Sequence, residues 1–266
     1  MTGSRIGYTI LMVIAATLAA MILRKRQRGL PLPAADKWTL AVSGVVGATL
    51  AAKLPFWFFA QTLSPAILPF PGVAWLADGK TILWALAGGY LGVEVGKWML
   101  DIRVRTGDTF VVAVAVAVGV GRLGCLVYGC CHGTPTDLPW GIRFSIAEDG
   151  GTIARHPTQV YESIFHLTFA CLAAWSIRRN WMTGDWMPIY LIGYAIYRFC
   201  SEYIRAETPW VAGLTFYQIS AVPIAVVMLA IIIWRRLRRE KGRSLMDATR
   251  LGIRATNEIQ NRKSTR

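Results

Sequence analysis

Apolar residues fall into seven blocks, each about 18 to 23 residues long, separated by short charged or proline-containing segments. A helix of about 20 residues crosses the apolar core of a bilayer, so blocks of this length predict transmembrane helices. The pattern predicts an all-α, polytopic membrane protein with seven spans. The predicted spans are Ile6–Leu23, Trp38–Ala60, Thr81–Leu100, Thr109–Val127, Pro157–Ile177, Trp186–Ile204 and Thr215–Trp234.

The charged residues between the blocks predict which side of the membrane each segment faces. Arg24, Lys25, Arg26 and Arg28 follow the first block, whereas only Arg5 precedes it. Segments on the side of that cluster contain 21 Lys and Arg residues, and segments on the other side contain 5. Because Lys and Arg gather on the cytoplasmic side, this asymmetry predicts an N-terminus outside and a cytoplasmic C-terminus.

The composition agrees with a membrane protein, since 54% of the 266 residues are apolar and 17% are charged. A soluble domain would carry about 25% charged residues. A soluble enzyme, a disordered chain and a secreted disulfide scaffold are therefore excluded. The net charge of +14 follows from the cytoplasmic Lys and Arg residues, so we predict contact with membrane lipids and no nucleic acid partner.

The chain divides into a membrane domain, residues 1–234, and a basic cytoplasmic tail, residues 235–266, that contacts anionic lipid or solvent. Between the fourth and fifth blocks, residues 133–156 contain a strand-like alternating run, Trp140–Phe144, and a turn signal, Glu148–Gly151. This segment predicts a small cap on the outer side of the helical bundle.

Ionisable residues inside a bilayer cost at least about 2.5 kcal/mol each, so they need a partner or a function. In the sixth block, Tyr194, Arg198, Glu202 and Arg205 have the spacing i, i+4, i+8 and i+11, which puts them on one helix face. This stripe is either an Arg–Glu pair that helps the bundle to assemble or a site for an anion. A guanidinium group can hold a phosphate through two hydrogen bonds, and an adjacent carboxylate fixes its orientation.

Arg122 is a second arginine at membrane depth, between Gly121 and Gly124 in the fourth block. Small residues let neighbouring helices, or a ligand, approach the backbone closely. Together with Arg198, it predicts a receptor for the phosphate of a lipid headgroup. A polar patch at the start of the fifth block adds His156, Gln159, Tyr161 and Glu162.

Three cysteines follow Arg122: Cys125, Cys130 and Cys131, with His132 next in sequence. The cluster permits three chemical interpretations, which are metal binding, a nucleophilic thiol and a disulfide outside the cytoplasm. The sequence has no CxxC pair and no second group of matching metal ligands. Packing of small polarizable side chains is therefore the favoured interpretation. We therefore predict no metal and no cofactor.

Four stretches resemble motifs of the prolipoprotein diacylglyceryl transferase family, in the family's order, and the resemblance extends from the first block to the last. They are Gly121-Arg122-Leu123-Gly124 with the later Gly133, Arg155-His156-Pro157-Thr158-Gln159-Val160-Tyr161-Glu162, Leu191-Ile192-Gly193-Tyr194 with Arg198, Glu202 and Arg205, and Tyr217-Gln218-Ile219-Ser220 with Pro223. The resemblance implies a multi-pass enzyme of the bacterial plasma (inner) membrane.

The resemblance also implies a reaction in which the diacylglyceryl group of phosphatidylglycerol moves to the lipobox cysteine thiol of a prolipoprotein, and glycerol phosphate leaves. It implies that Arg122 and Arg198 hold the phosphate and stabilise the leaving group, while Glu202 orients Arg198. It implies a substrate-binding set of Gly88, Gly89, Gly121, Gly124, Gly133, His156, Gln159, Tyr161, Glu162, Tyr194 and Arg205.

Four positions differ from the family pattern, since Ala87, Cys125, Cys130 and Lys53 stand where the family has His, Asn, Glu and Arg. They lie in the part of the site that handles the acceptor, so another acceptor for the same lipid group stays open. Two further classes of function stay open. One is a phospholipid-binding or transport protein that catalyses no reaction, and the other is a thiol redox protein. The sequence lacks the internal repeats typical of the first and the CxxC typical of the second.

Overall fold

The computed structural model describes residues 2–63, 81–182, 184–205, 207 and 209–264. In chain order, the helices of these residues are α1 (Thr2–Gln27), α2 (Ala34–Leu63), α3 (Ile82–Met99), α4 (Gly107–Tyr128), α5 (Thr158–Arg178), α6 (Trp186–Ser201) and α7 (Phe216–Ser264). A 3-10 turn, Glu202–Ile204, continues α6. Two short strands, β1 (Ile142–Arg143) and β2 (Ala154–Arg155), lie between α4 and α5.

Within the described residues, five helices are long and apolar enough to cross a membrane, namely α1, α2, α4, α5 and α7. The helices α3 and α6 are shorter, with 18 and 16 residues. Each predicted span overlaps one of the helices, and a mostly helical fold is confirmed. The helix α7 continues beyond the apolar block, past Trp234, through most of the predicted basic tail.

The helices α2 and α3 pack at close range because glycines lie at their contact. A Cβ atom added to Gly88 would meet the carbonyl oxygen of Gly47 and the side chain of Ala51. One added to Gly92 would meet the backbone of Ser43. The absence of a side chain at these glycines therefore allows the two backbones to approach.

The helix α4 is packed between α1 and α5. Its Gly121 and Gly124 face Met12 of α1. On the side of α5, the Ser163 hydroxyl donates a hydrogen bond of 2.8 Å to the carbonyl oxygen of Gly119. These contacts fix the part of α4 that carries Arg122.

The strands β1 and β2 form an antiparallel hairpin in which Ile142 pairs with Arg155. The carboxylate of Asp149 closes its turn, because it accepts hydrogen bonds from the Ile153 backbone N–H at 2.7 Å and from Arg155 Nη2 at 3.0 Å. The Ile153 N–H is the main cause of a pKa of about 2 for Asp149, and the Arg155 guanidinium adds to it. The segment that is predicted to form a cap thus contains a defined hairpin.

Backbone hydrogen bonds attach this hairpin segment to the start of α5 and to the end of the 3-10 turn. The Gly133 N–H donates to the carbonyl oxygen of His156 at 2.8 Å, and the Thr134 N–H donates to that of Ile204 at 2.9 Å. Gly133 also forms a backbone bridge with Arg205. The chain that leaves α4 therefore runs directly beside the polar ends of α5 and α6.

Candidate active site

A buried carboxylate, Glu162, joins three helices at the centre of the site. It lies near the start of α5, and only 1% of its surface is exposed. Its Oε1 accepts a hydrogen bond from Arg122 Nη2 of α4 at 2.7 Å and another from the Tyr194 hydroxyl of α6. A buried carboxylate requires such charged and hydrogen-bonded partners, so these contacts hold α4, α5 and α6 together.

Two further arginines lie around this carboxylate. Arg205 follows the 3-10 turn, and its Nη1 is 4.0 Å from Oε2 of Glu162. Arg198, on α6, pairs with Glu202 at 3.2 Å, and its guanidinium lies 4.3 Å from the ring centroid of Tyr217. The Arg198–Glu202 pair expected from the helical spacing is therefore present, and the ring of Tyr217 of α7 packs against the guanidinium group.

The three arginines keep hydrogen-bond donors that no described residue accepts. These buried atoms are Nε of Arg122, Nη1 of Arg198 and Nε of Arg205. Buried N–H groups in folded proteins almost always have a partner. The three guanidinium groups are accompanied by two buried carboxylates and by the partly exposed Glu207, 3.9 Å from Arg205. An oxyanion with several lone pairs, such as a phosphate, satisfies the buried donors.

His166 belongs to the site but is not among the residues that the sequence predicts there. It lies one turn after Glu162 on α5 and is fully buried. Its Nδ1 is 2.8 Å from the Tyr190 hydroxyl, and its Nε2 is 3.7 Å from Oε1 of Glu162. The residues around His166 in sequence are apolar, so the i, i+4 spacing from Glu162 is the one local signal of this placement.

The other residues predicted at the start of α5 make two separate contacts. Gln159 is fully buried, and its Nε2 donates a hydrogen bond to the carbonyl oxygen of Cys130. The Tyr161 hydroxyl accepts a hydrogen bond of 2.7 Å from Trp140 Nε1 and lies 3.4 Å from His156 Nδ1. Gln159 therefore holds the cysteine segment, whereas Tyr161 and His156 join the hairpin to α5.

The predicted glycines divide between the site and helix packing. Gly133 lies at the site, where it bridges to the chain that follows α6. Gly121 and Gly124 face α1, and Gly88 and Gly89 face α2. The described contacts of these last four residues are with neighbouring helices, and a substrate-binding role for them stays a prediction.

The side chains of Cys125, Cys130 and Cys131 converge beside the arginines. Their Sγ atoms lie within 4.8 Å of one another, and the five cysteines, all in the described part of the chain, are free thiols. Arg122 and Arg205 both attract negative charge on the sulfur of Cys131. The thiols and the guanidinium groups therefore belong to one site.

Apolar helices of membrane-spanning length, together with a buried cluster of arginines and carboxylates, define a helical membrane protein with an internal cluster of charged side chains. The chain belongs to the prolipoprotein diacylglyceryl transferase family, because the model of that family matches residues 5–234. This match confirms the resemblance found in the four sequence motifs and identifies the chain as a membrane transferase.

Individual relatives agree with this assignment. The phosphatidylglycerol–prolipoprotein diacylglyceryl transferase of Clostridium tetani is 30% identical over 207 residues, which cover 76% of this chain and 81% of the relative. The second such transferase of Clostridium perfringens is 30% identical over 213 residues, with coverages of 76% and 78%. That of Cupriavidus necator is 29% identical over 237 residues, which cover 83% of each chain.

Proposed function

We propose that this protein transfers the diacylglyceryl group of phosphatidylglycerol to the lipobox cysteine thiol of a prolipoprotein and releases glycerol phosphate. The observation that supports this proposal most directly is that Arg122, Arg198 and Arg205 each have a buried N–H group without a hydrogen-bond acceptor among the described residues. A phosphate diester supplies the acceptor oxygens that these donors require. The names of the relatives from Clostridium tetani and Clostridium perfringens support the same donor and acceptor.

In the proposed reaction, the acceptor sulfur attacks, as a thiolate, the diacylglyceryl carbon that is bonded to the phosphate oxygen. A C–S bond forms, the C–O bond breaks, and the electron pair leaves on glycerol phosphate. Negative charge on the leaving phosphate grows toward the transition state, and guanidinium groups that are already in position stabilise it. Glu162 keeps Arg122 in place, and Glu202 keeps Arg198 in place.

The protein is proposed to cross the bacterial plasma membrane seven times, with the N-terminus outside and the C-terminus in the cytoplasm. The 21 to 5 distribution of Lys and Arg supports this orientation. It puts the hairpin of β1 and β2, and the end of α4 that carries the cysteines, on the outer side. The hairpin then forms the outer cap. An exported acceptor reaches the site from the outer side and does not have to cross the membrane again.

An apolar cavity of about 300 Å³ lies between α1, α2, α3 and α4. Its lining includes Ala48, Gly89, Val114 and Val118. Cavities lined by apolar side chains bind apolar groups, so this space suits an acyl chain. The cavity supports a lipid as the donor substrate.

A second candidate function is transfer of the same lipid group to a different nucleophile. It is favoured by the three thiols beside the arginines, which differ from the amide and carboxylate that the resemblance leads one to expect at Cys125 and Cys130. The identity of the product distinguishes the two functions.

The test combines purified protein, phosphatidylglycerol and a lipobox peptide, with mass spectrometry of the products. We expect a diacylglyceryl peptide and glycerol phosphate. Because each arginine stabilises the leaving group, Arg122→Ala and Arg198→Ala should lower the rate at least about 100-fold. Arg143→Ala is a matched control, since Arg143 is an exposed residue of β1, and it should leave the rate unchanged.

Full turnover in both arginine variants would contradict the proposed phosphate site. A diacylglyceryl adduct on another nucleophile in a mixture of candidate acceptors, with an unmodified lipobox peptide, would establish the second function. Phosphatidylglycerol binding with no product on any acceptor would instead indicate a lipid-binding protein.

A further inference from the structure

Three cysteine side chains meet at the outer end of α4. Cys125 lies on the last turn of the helix, and Cys130 and Cys131 follow directly after the helix ends. The Sγ atoms of Cys130 and Cys131 are 3.7 Å apart, and all three Sγ atoms lie within 4.8 Å of one another. In a tetrahedral zinc site with Zn–S bonds of about 2.3 Å, neighbouring sulfur atoms are about 3.8 Å apart. The spacing of the three thiols therefore suits a single metal ion.

The backbone holds these thiols together without help from a metal. Gly129 ends α4 in the left-handed conformation, with a φ of 90°, which turns the chain back toward Cys125. The Thr158 side chain donates a hydrogen bond to the carbonyl oxygen of Cys131, and the Gln159 side chain donates one to the carbonyl oxygen of Cys130. Four separate constraints from α4 and α5 therefore fix the sulfur atoms near one another: the helix, its end and the two hydrogen bonds.

We propose that Cys125, Cys130 and Cys131 bind one Zn²⁺ ion as thiolates and leave its fourth coordination position open. Three protein ligands with an open position are the arrangement of catalytic zinc sites, whereas structural sites have four. Cys131 is exposed, so a ligand from outside reaches the open position. Among the divalent ions that are common outside the cell, zinc is the one that thiolates bind best, because Ca²⁺ and Mg²⁺ prefer oxygen ligands such as carboxylates.

The charges around the cluster favour metal binding by thiolates. One zinc dication with three thiolates carries one net negative charge. Arg122 lies about one helical turn before Cys125 on α4, and a backbone bridge joins Arg205 to Gly133, two residues after Cys131. The same guanidinium groups that suit a phosphate therefore also stabilise an anionic zinc–thiolate centre next to it.

If the proposed function holds, the fourth ligand is the acceptor cysteine. A thiol that binds zinc loses its proton, which passes to water at the exposed side of the cluster. The zinc-bound sulfur then attacks the diacylglyceryl carbon: the C–S bond forms, the C–O bond breaks, and the electron pair leaves on glycerol phosphate. The resulting thioether is a weaker ligand than a thiolate and dissociates, so the zinc ion is regenerated unchanged.

The first experiment tests the site without using activity. Protein purified in detergent without chelators should carry about one zinc ion per chain, measured by elemental mass spectrometry. Cys125→Ala and Cys131→Ala should remove this zinc. Cys171→Ala and Cys200→Ala are matched controls, because both cysteines are exposed on α5 and α6 outside the cluster, and they should retain it.

Wild-type protein that has been stripped of metal and reloaded with Co²⁺ should show thiolate-to-cobalt charge-transfer absorption. This measurement needs no variant, so a folding defect in the alanine variants does not affect it. A wild-type chain without zinc and without such bands on Co²⁺ addition would overturn the proposal. Equal zinc content in the cluster variants and in the controls would also overturn it.

The second experiment tests the role of the open position. A lipobox peptide should shift the Co²⁺ bands, and the same peptide with serine in place of its cysteine should not. Removal of zinc should slow transfer at least about tenfold, and Zn²⁺ but not Mg²⁺ should restore the rate. Full transfer by metal-free protein would refute the acceptor role while the proposed function stands. A normal zinc site in a protein that forms no product would refute the proposed function while the site stands.

Discussion

Single residues determine how the carboxylate of Glu162 is oriented. Its Oε1 accepts hydrogen bonds from Arg122 and Tyr194, and Nε2 of His166 lies 3.7 Å from the same oxygen. Tyr190 holds the other ring nitrogen of His166. We infer that His166 is a positioning residue, which restricts the motion of Glu162 and, through it, the motion of Arg122.

Replacing His166 should therefore impair turnover more than binding. We expect His166→Leu to lower kcat about 10- to 100-fold with little change in KM for phosphatidylglycerol, because a displacement of about 1 Å misaligns the arginine. His166→Gln retains a polar nitrogen beside Glu162 and should recover part of the rate. A glutamine variant as slow as the leucine variant, or a loss confined to KM, would contradict the positioning role.

The part of the site that lies on one helix could be predicted from the sequence. The spacing of Arg198 and Glu202 predicts a pair, and the structure has it at 3.2 Å. The Arg122–Glu162 pair joins residues that are 40 positions apart, and local spacing carries no information on such a contact. His166 was missed because a histidine in an apolar stretch is typical of a helix core as well as of a site.

At the scale of elements, the contact between α2 and α3 depends on glycine. A Cβ at Gly88 would meet Gly47 and Ala51, so Gly88→Ala should separate the helices and destabilise the protein by about 1 to 3 kcal/mol. Gly29→Ala is the matched control, because nothing lies within 4 Å of that Cβ position. Thermal unfolding in detergent measures both variants, and equal melting temperatures would contradict the close contact.

The hairpin of β1 and β2 should open in acid because its turn depends on ionised Asp149. The pKa of this carboxyl is about 2, below its usual value of 3.8, so its stabilisation is complete above the usual value and is lost as pH falls toward 2. Pepsin cleavage within the hairpin, mapped by mass spectrometry, should rise across this range. Asp149→Asn removes the charge, so the variant should be cleaved rapidly even at pH 4. Slow cleavage of the variant at that pH would disprove the role of the carboxylate.

At the scale of the whole molecule, the proposed orientation puts the hairpin outside and the end of α7 in the cytoplasm. A cysteine introduced at the exposed Glu148 should react with an impermeant thiol reagent in intact cells, whereas one introduced at Ser244 should react only after lysis. Mass spectrometry of the labelled peptides separates the introduced cysteines from the native ones. The reverse pattern would overturn the orientation.

The helices themselves followed closely from the apolar blocks, because a bilayer-length apolar run has few other stable conformations. The ends of the helices were predicted less accurately. The sixth block predicts a continuous helix to Ile204, but α6 ends at Ser201 and a 3-10 turn follows. The last block ends at Trp234, whereas α7 continues to Ser264, since the charged residues beyond it also favour a helix. Hydropathy therefore located the helices but not their full lengths.

The ion pair between Arg122 and Glu162 also bears on how the chain enters the membrane during synthesis. An arginine at the centre of a lone helix opposes insertion by about 2.5 to 3.5 kcal/mol. The partner carboxylate lies on the next membrane-spanning helix, after the hairpin segment, and is synthesised 40 residues later. Pairing with Glu162 offsets this cost once α5 has been made, which couples the insertion of the two helices.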